Sequence, residues 1–202
     1  MHHKAALSFL FLALLAPLST SADDRFQAAA AKAERLDDLR IFLGNYVGRC
    51  TDPIERRACE AKVAAFRKGE GAKTYLVRVT DASQVVRTQP KGDRVVLLLT
   101  PFIDGGGYAL SRGQPKGQDA NGNPIVDLVP IEVQLPPGMM ELDFLSPFRS
   151  GAIELELVFR PDRAWKLKRK GEPGSFEGLA ARFLALRVIN GRDDSEIAAK
   201  SW

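Results

Sequence analysis

The chain has 202 residues, with 29 Lys and Arg against 25 Asp and Glu, a formal surplus of +4. So mild a surplus does not make a nucleic-acid-binding surface, and no nucleic-acid partner is expected. Both histidines, His2 and His3, precede the first apolar run. Any fold built after that run therefore has no imidazole, which excludes a Ser-His-Asp triad, a Cys-His pair, a histidine general base and a histidine-bound metal.

Lys4 is followed by an apolar run from Ala5 to Ala16, then Pro17 and a Ser/Thr-rich stretch ending at Ala22. This order is that of a secretory signal peptide over residues 1–22. The run of about 12 residues is too short for a hydrocarbon core that needs about 20. Cleavage after Ala22 predicts an exported protein, periplasmic or extracellular, with no transmembrane segment in the mature chain. Its balance is 28 cations minus 25 acids, or +3, because only Lys4 is lost.

From Asp24 to Val47, residues Phe26, Ala29, Ala30, Ala33, Leu36, Leu39, Leu43 and Val47 recur at steps of three and four. That spacing predicts one amphipathic helix closed by Gly48. Asp52-Pro53-Ile54-Glu55 then reads as a capped start to a second helix ending near Gly69. Together they form a helical hairpin over residues 23–70. Cys50 and Cys59 are the only cysteines. An even count in an oxidising compartment predicts a disulfide that pins the connection onto the second helix. Their spacing is not the C-x-x-C of redox or metal motifs.

After Lys73 the period changes to two. Strands are expected at Thr74–Thr80, Val95–Phe102, Tyr108–Ser111, Ile125–Val129, Ile131–Leu135, Met140–Leu145, Ala152–Arg160 and Ala164–Lys170. The run from Val95 is apolar on both faces and reads as a central strand. Pro130 places its neighbour at an edge. Many short strands with Gly/Pro turns predict an antiparallel β-sandwich over residues 71–202, and hence an α+β, mostly β protein.

Ile153, Leu155, Leu157 and Phe159 alternate with Glu154 and Glu156, while Trp165 and Leu167 alternate with Lys166, Lys168 and Lys170. Read as a hairpin, these strands set Phe159 opposite Trp165 and Leu157 opposite Leu167. Glu156 then faces Lys168, and Glu154 faces Lys170. Gly178 to Asn190 fits both a helix and a strand. The Asn190-Gly191 turn favours the strand, and Asp193–Ala199 reads as a short terminal helix.

Several segments carry residue types suited to binding. Lys166, Lys168 and Lys170 form a candidate anion-binding strip, which the pairing above would partly neutralise. Asp104-Gly105-Gly106-Gly107 is a candidate ligand loop, since Gly-rich turns can present N–H groups to an anion. It lacks the Gly-Lys-Ser/Thr ending of a P-loop. Asp119, Asn121, Asn123 and Asp127 carry oxygens at spacings that suit calcium, but Pro124 and Pro130 stand where an EF-hand has glycine and glutamate. A turn at Asn121-Gly122 is the simpler account. No cofactor or metal is expected.

These features favour an exported, non-enzymatic binding or cell-envelope accessory protein, whose partner is an anionic envelope component or another protein. One alternative is a carboxylate-dependent hydrolase of extracellular polysaccharide using Asp104 and Asp127, for two acids can suffice. Another is a structural module that docks on an envelope protein through its helices.

Overall fold

The structure, a computed structural model, describes residues 22–82, 85–92, 94–99, 102–104, 107–113, 115, 117–118, 124–125, 130–135, 150–168 and 175–202. It is a mixed α+β fold in which three helices near the N-terminus accompany a curled, partly antiparallel half-barrel. The helices are α1 (Ala22–Ala30), α2 (Leu39–Val47) and α3 (Arg56–Glu70). A seven-stranded sheet contains β1 (Glu34–Leu36), β2 (Tyr75–Val79), β5 (Phe102–Asp104), β6 (Ala109–Arg112), β10 (Ile153–Lys168), β11 (Ser175–Asn190) and β12 (Ser195–Ser201). A three-stranded sheet is formed by β3 (Val86–Lys91), β4 (Arg94–Leu99) and β9 (Ile131–Gln134), and a small ribbon by β7 (Gly117–Gln118) and β8 (Pro124–Ile125).

The single helix expected from Asp24 to Val47 is interrupted. Its first part, α1, buries Phe26 against Val158 and Ala185. Its last part, α2, buries Phe42, Leu43 and Tyr46 with Tyr75, Leu157 and Phe159 in the main core. Val158 alternates with Leu157 and Phe159 along β10, so the two helices cover opposite faces of one sheet. To pass between them the chain must round the sheet edge, which it does as β1, parallel to β2. The Asp38 side chain then accepts a bond from the Ile41 N–H and starts α2 afresh. Gly48 closes α2 as expected, with φ at 66°.

The sheet order β1-β2-β10-β11-β6-β5, with β12 also on β11, contains two parallel pairs, β1/β2 and β6/β11. The wholly antiparallel arrangement is corrected accordingly. Strands β2, β6 and β9 lie where alternation places them, and Gly178 to Asn190 is strand, within β11. As Pro130 implies, β9 is at the edge of the three-stranded sheet; β4, from the apolar run, is its centre. Side chains of both sheets enter one core, Leu97 and Val133 joining Leu155 and Val188.

The hairpin proposed around Pro161 does not form. β10 runs through Pro161-Asp162-Arg163 as one strand, with register shifts at Val158/Phe159 and Pro161/Arg163. Proline and a polar residue suit a bulge as well as a turn, and here they bend the strand without ending it. Phe159 therefore faces Phe183, and Trp165 faces Gly178. The tail is also strand: β11 has a free length beyond β6, and β12 pairs with it from Ala185 to Asn190. Asp193, expected to open a helix, instead accepts from the Ser195 N–H in a turn.

Candidate functional site

Arg49 leaves the end of α2, and the Cys50–Cys59 disulfide fixes the loop behind it to α3. Its Nε donates to Glu177 Oε2 at 2.7 Å, and its Nη2 donates to the Gly107 carbonyl at 3.0 Å. The guanidinium also stands 4.6 Å from the Tyr108 ring centroid. On the other side of Glu177, Lys166 Nζ lies 2.5 Å from Oε1, and Ser175 Oγ donates to the same oxygen at 2.7 Å. Glu177 is thus a buried carboxylate clasped by two cations whose own side chains are about half or more exposed, 46% and 66%. Burial pushes its carboxyl up, but the bonds from Lys166, Ser175 and Arg49 outweigh this and hold it at about 2. It is therefore an anion at any physiological pH.

This cluster joins two features that looked separate in the sequence. Gly107 of the Asp104–Gly107 loop, at φ 91°, and Lys166 of the basic strip meet through Arg49 and Glu177. The expected neutralising pairs are corrected by the same geometry. Glu154 bonds to Arg78, and Glu156 lies opposite Arg187 and accepts from it at 2.7 Å, so the strand register sets neither acid opposite Lys168. These two acids occupy the sheet face that α1 partly covers. Lys168 ends β10 opposite Ser175, and Lys170 lies outside the described residues.

Beside the cluster, α2 and α3 leave a groove of about 580 Å³ between them. Val63 and Phe66 give it an apolar floor, with Arg49, Lys62 and Glu55 at its sides. No residue of α3 is fully buried, and the helix meets α2 through the Phe66 ring against Phe42 and Tyr46 and through Arg67. A second hollow of about 290 Å³ is lined by Arg67, Lys166 and Glu60. The two hollows bring together four cations, Arg49, Lys62, Arg67 and Lys166, against two acids, Glu55 and Glu60. Arg67 is anchored by bonds to the Tyr46 and Val47 carbonyls.

The remaining sequence candidates fall elsewhere. Asp104 ends β5 opposite Ala109, while Gly105, Gly106, Asp119, Asn121, Asn123 and Asp127 lie outside the described residues. Among the described residues, no three His, Cys, Asp or Glu side chains are grouped to hold a metal ion. No helix among them is long and apolar enough to cross a membrane. Trp165 belongs to the core, 6% exposed, with Nε1 donating to Ser111 Oγ at 3.0 Å. Trp202 is 46% exposed and lies beside Arg112 and Lys200. Sequence reading missed Arg49 and Glu177. Their signals were a cation at the end of the predicted helix, directly before a cysteine, and an acid among the apolar residues of the next strand.

Fold and site together define a mixed α+β domain whose disulfide-tied helical pair borders a groove lined by Arg49, Lys62 and Glu55. The chain belongs to a family of unknown function, DUF6066, which matches residues 3–199. No curated protein and no solved structure matches it.

Proposed function

We propose that the protein is an exported, non-enzymatic binding protein of the cell envelope, and that the α2–α3 groove takes an anionic envelope component. The carrying observation is the pair of neighbouring hollows along α3, which together are lined by four cations against two acids, with Arg49 and Lys166 also holding Glu177 and with Val63 and Phe66 as apolar lining of the larger one. Export is supported by the leader pattern of residues 1–22, and by a disulfide suited to an oxidising compartment. A binding role rather than catalysis is favoured by the absence of histidine after residue 3 and by the chemistry of Glu177, whose bonds stabilise its charge and oppose proton transfer. The core shared by the two sheets supports a sandwich-like closure of the half-barrel, which would hold the groove rigid.

The test is co-sedimentation of residues 23–202 with peptidoglycan and with anionic lipid vesicles, at low and high salt. Binding that weakens with salt, and weakens further in Lys62→Glu, is the expected result, because charges on open walls are screened within about 8 Å at physiological ionic strength. Binding to neither material, or binding unaffected by Lys62→Glu, would remove the groove as the site.

A further inference from the structure

One carboxyl oxygen of Glu196, on β12, is left without a partner. Its Oε2 is buried without a hydrogen-bond partner, and its side chain meets the Asp23 carboxyl group in the first turn of α1. Two carboxylates so close do not both ionise readily without a counter-charge. Among the described residues, Glu196 is faced by Asp23 from α1 and Arg187 from β11, with Glu156 from β10 behind Arg187. Arg187 is shared, since its Nε donates to Glu156 and its guanidinium lies 4.8 Å from the Phe26 ring centroid. Burial first, then Asp23, pushes the Glu196 carboxyl up to about 7 against the pull of Arg187.

The chain carries the missing cation in latent form. The backbone nitrogen of Asp23 is three bonds from its own carboxyl carbon, so it stands beside the carboxyl group that meets Glu196. While it belongs to the Ala22–Asp23 amide it is neutral. Hydrolysis by an endopeptidase adds water across that amide. The Ala22 carbonyl carbon leaves as a carboxylate on the released segment, and the Asp23 nitrogen takes up protons to become an ammonium. The positive end of a helix dipole opposes an ammonium there, so such a terminus needs neighbouring carboxylates.

We propose that Ala22–Asp23 is the bond at which the chain is processed, and that the ammonium so formed pairs with Asp23 and Glu196 and fastens α1 to β12. The processing half rests on the export reading; the pairing half does not. Phe26 already seats α1 on the sheet, so the new charge arrives at a docked helix.

The experiment compares residues 23–202 carrying a free amine at Asp23 with the same chain preceded by Gly-Ala, each as wild type and as Glu196→Gln. In the free-amine form, Glu196→Gln lowers the folded-to-unfolded ratio about five-fold, the size of a good partly exposed ion pair. In the extended form it leaves the ratio unchanged or raises it, because glutamine relieves a repulsion. An equal effect in both forms overturns the pairing. If Glu196→Gln does not fold, the Asp23 α-amino group of the wild-type protein is titrated by nitrogen NMR. A midpoint above the ordinary value of about 8 supports the pair, and one at or below it refutes the pair. Mass spectrometry of the protein secreted from cells then separates the two halves. A start other than Asp23 overturns the processing site, whereas retention of residues 1–22 overturns the export reading itself.

Discussion

Glu177→Gln keeps the shape of the side chain and removes its charge, leaving Arg49 and Lys166 to face a neutral amide. Lowering a carboxyl from 4.5 to about 2 corresponds to about 3 kcal/mol of folding stability at neutral pH. The cations are about half exposed or more and can turn to water, so the expected loss is smaller, about 2 kcal/mol. Because the folded-state value lies below the unfolded one, this stabilisation is complete above about pH 4.5 and disappears as the pH falls through about 2. Urea unfolding of oxidised wild type and Glu177→Gln, from about pH 7 down to about pH 2.5, reads both quantities. The two unfolding curves should differ by about 2 kcal/mol at neutral pH and converge in acid. A variant as stable as wild type at neutral pH, or a difference that persists undiminished in acid, would refute the account of Glu177 as a charge clasp.

Two further outcomes follow from packing and cross-linking. Replacing Cys50 and Cys59 with serine should cost about 2.5 to 3 kcal/mol, the chain-entropy value for so short a loop, measured as a shift in urea midpoint at constant slope. Gly178→Ala should cost about 3 kcal/mol by the same measurement, because the added Cβ would overlap the Ala109 carbonyl oxygen and the Trp165 ring. A loss below about 1 kcal/mol would mean that β11 can move away from β6 at little cost.

Side-chain alternation made β2, β6 and β9 legible, because each strand shows the core a period of two whatever lies beside it, while β4 showed in its unbroken apolar run and β11 through the Asn190-Gly191 turn. What it could not convey was where the chain must cross an edge. Ala29, Ala30, Ala33 and Leu36 continue a helical spacing through a turn and a strand, since alanine and leucine suit all three; only Asp38 marks the restart. Pro161-Asp162 misled for a related reason, as the residues that make turns also make bulges. The tail became strand because β11 offered it an unpaired edge, a tertiary demand invisible in Asp193–Ala199 itself. Half of the site was legible in Lys166, Gly107 and the two cysteines. The other half was not, because Arg49 and Glu177 are 128 residues apart and only the packing of α2 over the sheet makes them neighbours.

The seat for α1 and α2 is built from β2, β10, β11 and β12, and three of these are the last strands in the chain. Because a ribosome makes the chain N-terminus first, the helices emerge long before the surface that receives them. Among the described residues, Val158 and Ala185 beneath α1, and Leu157 and Phe159 beneath α2, all belong to β10 and β11. Docking of the two helices on the sheet therefore waits for the final strands to arrive.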